Sequence, residues 1–91
     1  MIMKRAIITF LCLLIFTLAY PQEEPELKEA FLDGEYFMRY EEFKDALPLY
    51  LLVFENNTDN ANINYRIGVC YLNIPGQKEK SISYLEKAVG N

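Results

Sequence analysis

Apolar residues in this chain form one unbroken run and then a spaced, recurring pattern. Ala6 to Leu18 carries no charge, and Thr9 and Thr17 are its only polar residues. Tyr20–Pro25 (YPQEEP) follows as a short acidic linker with two prolines and no apolar periodicity. Beyond it, apolar positions recur every three or four residues, the signature of amphipathic helices. Leu27, Ala30, Phe31, Gly34, Phe37 and Met38 make one stripe over Glu26–Met38; Phe43, Ala46, Leu47, Tyr50, Leu51 and Phe54 make a second. Glu55–Asn60 (ENNTDN) reads as a polar turn, in which Asn and Asp side chains bond their own backbone, and Asn60 is placed to cap the next helix. Ile63, Ile67, Cys70 and Tyr71 mark a third helix, which Asn73–Gln77 (NIPGQ) breaks through Pro75 and Gly76. Ser81, Ile82, Leu85, Ala88 and Val89 mark a fourth. No stretch alternates with a period of two, so the expected class is all-α. Pro48 fits the second helix badly, since an interior proline removes a backbone donor. A start near Phe43 or Lys44, or a kink, is expected there.

The unbroken run has the layout of a secretion signal. Lys4 and Arg5 supply the basic start, the 13 residues Ala6–Leu18 the apolar centre, and Thr17-Leu18-Ala19 the small residues of a cleavage site. A membrane-spanning helix needs about 20 apolar residues, so cleavage after Ala19 is the expectation, with an uncleaved inner-membrane signal anchor as the alternative. A lipoprotein signal is disfavoured, because Leu11 precedes Cys12 and Cys12 lies inside the run rather than after it. The expected divisions are a signal peptide over 1–19 and a linker over 20–25, followed by two helical pairs over 26–57 and 60–91.

Removing the signal changes the charge. All 13 acidic residues lie beyond Ala19, with seven of the nine basic ones, leaving a net charge of −6. An acidic chain without a basic cluster argues against nucleic acid and anionic membrane surfaces as partners. There is no histidine, the commonest general base and metal ligand. Cys70 is then the one remaining cysteine, so no intrachain disulfide forms, and without a histidine partner it reads as a core residue rather than a nucleophile. Glu23/Glu24 and Glu41/Glu42 are adjacent, and neighbours in sequence on a helix point apart, so they make poor acid–base pairs. Asn56-Asn57-Thr58 matches a glycosylation sequon and reads as a turn. No phosphate loop, metal cluster, dinucleotide fingerprint or small-molecule site is evident. The expectation is a protein with no catalytic, cofactor or metal site.

The helices repeat in pairs. Gly34 and Gly68, Phe37 and Tyr71, and Ala30 and Asn64 are each 34 residues apart. Ala46 and Ser81, Tyr50 and Leu85, and Val53 and Ala88 are each 35 apart, the extra residue falling in the Asn73–Gln77 break. This period, with Ala30-x-x-Asp33-Gly34-x-x-Phe37 then Ala46-x-x-x-Tyr50, and Asn64-x-x-Ile67-Gly68-x-x-Tyr71 then Ser81-x-x-x-Leu85, resembles the tetratricopeptide repeat family. The resemblance covers about residues 27–91. It departs from the family pattern at Ala30 and Asn64, where an aromatic is usual, and at Asp33, Thr58 and Glu41. It implies two helix-turn-helix hairpins, a fragment of an α-solenoid, with Gly34 and Gly68 allowing close approach and Ala46 and Ser81 facing them. Phe37, Tyr50, Tyr71 and Leu85 then fill the space beside each contact. An ordinary four-helix bundle is the alternative. More narrowly, Asn64–Leu72 (NYRIGVCYL) and Ser83–Val89 (SYLEKAV) resemble the beginning of OmpA-like outer-membrane proteins that carry such repeats.

What the resemblance implies is an interaction module. In the family the first helices of successive hairpins line a groove for peptides or partner helices. Here that face carries Phe31, Glu35 and Met38 in the first copy and Asn62, Tyr65 and Val69 in the second. The expected function is a non-catalytic protein–protein interaction scaffold of the bacterial cell envelope, in the periplasm or at the outer membrane. The alternative is the docking arm of an OmpA-like peptidoglycan-binding or enzymatic protein whose active domain lies beyond Asn91. About three repeats are needed for a stable stack, so two lead one to expect neighbouring repeats in a longer protein, or else a small protein that dimerises or docks. Expected partners are other proteins or peptides.

Overall fold

The structure, a computed structural model, describes residues 25–90. The expected signal peptide, including its apolar run, lies outside the described residues. Among them are four α-helices and no strand: α1 (Pro25–Arg39), α2 (Phe43–Asn56), α3 (Ala61–Asn73) and α4 (Ser81–Ala88), with a 3-10 turn at Lys78–Lys80 leading into α4. The all-helical class read from the periodicity is therefore observed.

Each boundary has a local cause. α1 begins at Pro25, one residue before the apolar stripe, because proline's fixed φ and missing N–H suit the first helical position. The expected linker thus loses its last residue to the helix. Glu26 in the first turn and Arg39 in the last complement the helix dipole. The chain leaves α1 through Glu41, at φ +57, with Glu41 N–H donating to the Met38 carbonyl (3.0 Å) and Glu42 N–H to that of Phe37 (2.9 Å). This is a Schellman stop, with a glutamate in the left-handed position that glycine occupies most cheaply. α2 does begin at Phe43, yet Pro48 falls in its second turn rather than its first. The carbonyl left without its helical donor is that of Lys44, and both residues are exposed, so the missing bond falls on the solvent side of the helix.

The α2–α3 turn is held by asparagines. Asn57 Oδ1 accepts the Asp59 N–H (3.2 Å), and Asn60 Oδ1 accepts the Ile63 N–H (3.1 Å), the expected cap of α3. Asn64, fully buried, donates through Nδ2 to the carbonyls of Thr58 (3.0 Å) and Asn60 (2.8 Å). That explains a polar side chain at an interior position: the buried amide finds acceptors in the turn and ties it to the first turn of α3. α3 stops at Asn73, where the NIPGQ break is expected, and Gly76 takes φ +80 in the turn.

α1 packs on α2, α2 on α3 and α3 on α4. Ala46, Tyr50, Ile63, Ile67 and Cys70 form the buried centre, with Phe31, Phe37, Phe43, Phe54, Tyr71 and Tyr84 against it. The face of α4 differs from the expected one. Tyr84 sits between Phe54 (ring centroids 5.5 Å apart) and Tyr71 (5.6 Å), whereas Ile82 and Val89 are exposed. At 100° per residue, Ser81, Tyr84, Leu85 and Ala88 fall on the packed side and Ile82 and Val89 turn away from it.

Both glycines that mark the repeat lie at helix crossings. A Cβ added to Gly34 would stand 2.9 Å from Tyr50 Cε1, and one added to Gly68 would stand 2.5 Å from Leu85 Cδ2. The side chain covering each glycine is therefore Tyr50 or Leu85, not the expected small residue one turn earlier. Helical side chains lean toward the N-terminus, so a spot on the partner helix is covered from a position further along the chain. Ala46 lies in the buried core, and Ser81 serves the turn before α4, its Oγ donating to the Lys78 carbonyl (2.6 Å).

Candidate functional site

α1 and α3 are not in direct backbone contact; among the described residues no Cα of one comes within 8 Å of the other across three or more pairs. Long side chains bridge them instead. Arg66 on α3 pairs with Glu35 on α1 through Nε to Oε1, and through Nη2 to Oε2 at 3.3 Å. Its guanidinium also lies 5.3 Å from the Phe31 ring centroid. From α2, the Tyr50 hydroxyl donates to Glu35 Oε1 (2.6 Å), and the Phe31 ring meets Tyr50 edge-on at 6.2 Å. One carboxylate thus joins three helices.

The electrostatics follow from these bonds. The hydrogen bond from Arg66 holds the Glu35 carboxyl below its ordinary value, against an opposing push from burial. The same bond raises Arg66. Burial first, and the hydrogen bond to Glu35 second, push the Tyr50 phenol upward, so it stays a neutral donor. Burial also pushes the Cys70 thiol to about 11, which keeps it protonated and unreactive at neutral pH.

Where side chains rather than backbones meet, an open cleft of about 370 Å³ remains, lined by Met38, Asn62, Tyr65, Arg66 and Val69. The six residues expected on the groove face therefore divide. Met38, Asn62, Tyr65 and Val69 line the cleft, and Tyr65 is half exposed. Phe31 and Glu35 are turned into the three-helix junction beneath Arg66. The packing residues divide too: Gly34 and Tyr50 meet at one crossing and Gly68 and Leu85 at the other, while Phe37 and Tyr71 lie partly buried against the core.

Arg66 is the site residue that sequence reasoning missed as a lining group. Its signal was local: Asn62 and Arg66 are four apart on one helix face, within reach of each other. Glu35 gave no such signal, lying 31 residues away, off the repeat period, so only the fold brings it to Arg66.

A second, larger hollow of about 810 Å³ lies beside α4, with Leu72, Ile82 and Leu85 in its wall. No helix among the described residues is long and apolar enough to cross a membrane. Comparison with protein-family models, with curated proteins and with solved structures finds no match to this chain.

Proposed function

We propose that this chain is a non-catalytic protein-interaction scaffold of the bacterial cell envelope, exported by its apolar leader and built from two tetratricopeptide-type hairpins. The observation that carries the reading is the pair of crossings 34 residues apart, each with a second-helix side chain lying over a glycine. Two helix pairs built alike and set side by side align their first helices and leave a furrow between them. The α1–α3 cleft, with Met38, Tyr65 and Val69 in its wall, has the apolar and aromatic lining that protein interfaces favour. The acidic balance of the chain and its lack of histidine agree with a binding rather than a catalytic role.

The test is site-specific photo-crosslinking in living cells that express the full chain. A photoreactive side chain at Tyr65, in the cleft, is compared with one at Leu52, an exposed α2 residue outside the cleft lining. The reading predicts a discrete crosslinked partner from Tyr65 and none from Leu52. No capture at either position, or indistinguishable capture at both, contradicts it.

A further inference from the structure

We propose that the outer face of α4 is a two-fold interface between two copies of this chain, whose α4 helices cross antiparallel at Ile82. The face is apolar and uncovered. Leu72 and Ile82, in the wall of the larger hollow, are 44% and 56% exposed, and Val89, seven residues beyond Ile82, is 72% exposed.

Its charges select what covers it. In the first helix pair the row Phe43, Leu47, Leu51 and Phe54 packs against the core. The row 35 residues further on is Lys78, Ile82, Glu86 and Val89. Opposite charges thus stand one turn to either side of Ile82. All three residues are exposed, and among the described residues neither Lys78 nor Glu86 has an ion-pair partner. Such a row is complementary to itself reversed. With Ile82 against Ile82, Lys78 of each copy faces Glu86 of the other, about 6 Å along the axis from the crossing. The second α4 then closes the hollow over Leu72 and Leu85.

A linear stack, with α1 of one copy against α4 of the next, is disfavoured by charge. α3 joins the core through Ile63 and Ile67, both buried. The residues 34 positions earlier, on α1, are Glu29 and Asp33, both exposed. Seated as α3 is, they would lie beside Glu86, bringing like charges together out of water.

The test is sedimentation equilibrium of the full chain at low salt, where exposed charges are least screened. The interface is small, so association at about 10–100 μM is expected, giving a dimer and no larger species. Ile82→Asp should weaken the dimer about tenfold or more, since it places a carboxylate at the crossing. Lys78→Glu and Glu86→Lys should each weaken self-association about tenfold. An equimolar mixture of these two variants should recover it, because every facing pair is again opposite in sign. Only the antiparallel two-fold predicts loss in each alone with recovery in the mixture. Both charged positions are exposed, so these variants leave the core untouched, and the apolar leader is the same in every species. A monomer up to about 1 mM, open-ended growth, a dimer that Ile82→Asp leaves intact, or a mixture no tighter than its components overturns the proposal.

Discussion

The α1–α2 crossing and the α3–α4 crossing use the same device in different surroundings. At the first, the ring over Gly34 belongs to Tyr50, which has no exposed surface and is tied by its hydroxyl to Glu35. At the second, Gly68 is covered by Leu85, which is half-buried and opens onto the larger hollow. The surfaces beyond the crossings differ in the same way. Met38, Leu47 and Phe54 pack against the core, beside α3; Leu72, Ile82 and Val89, 34 or 35 residues further on, are exposed. The difference teaches that a helix pair of this kind is finished by what lies against it. α3 completes the first pair, and its arrival brings Arg66 to Glu35.

The sharpest contrast lies in truncation at the two covering side chains. Tyr50→Ala should cost about 4 kcal/mol, because it empties a fully buried ring position and removes the donor to Glu35. Leu85→Ala should cost only ~1–2 kcal/mol, because the side chain is half solvated already. Chemical denaturation of the full-length variants measures both. Equal costs would break the comparison.

Filling the crossings gives the next effect. Gly34→Ala is expected to lose about 2 kcal/mol, since the Tyr50 ring is enclosed and tethered and cannot yield. Gly68→Ala meets a shorter approach, but Leu85 can swing toward the hollow, and alanine's better helix propensity returns ~1 kcal/mol. Its net loss should be about 1 kcal/mol. Thermal unfolding of the pair separates yielding from non-yielding neighbours.

The polar junction adds a pH dependence that belongs to the first crossing alone. The Glu35 carboxyl is held below its unfolded value by Arg66, so its stabilisation is present above about pH 4.5 and is lost as pH falls through the folded value. With both side chains partly exposed, the effect is at most about 1 kcal/mol. Glu35→Gln should flatten that part of the stability–pH curve, measured between pH 3 and 6.

The smallest expected change is a gain. Glu41→Gly relieves a non-glycine residue at φ +57 and should stabilise by about 0.5–1 kcal/mol, raising the unfolding midpoint by a few degrees. An unchanged or lower midpoint would mean that the turn is not strained.

Much of this architecture was legible in the chain. The four helices follow from spacing of three and four, the breaks from ENNTDN and NIPGQ, and the crossings from glycines one period apart. What escaped depends on direction and on distance in sequence. That Tyr50 rather than Ala46 covers Gly34 follows from the tilt of helical side chains, which spacing alone does not encode. Tyr84, not counted in the apolar stripe of the fourth helix, packs against the core between Phe54 and Tyr71, and Ile82, counted in, lies outside. Four of the six residues assigned to the groove line the cleft, but Phe31 and Glu35 lie against Arg66 in the three-helix junction, a pairing across 31 residues that local spacing does not show.

The most direct measurement is a nuclear Overhauser spectrum of the labelled full chain, read at the α-protons of the two glycines. The account predicts contacts from Gly34 to the Tyr50 ring and from Gly68 to the Leu85 methyls, with Gly34 shifted by the ring lying over it. If either glycine lacks its contact, the two helix pairs do not share one crossing, and the account of the cleft between them fails.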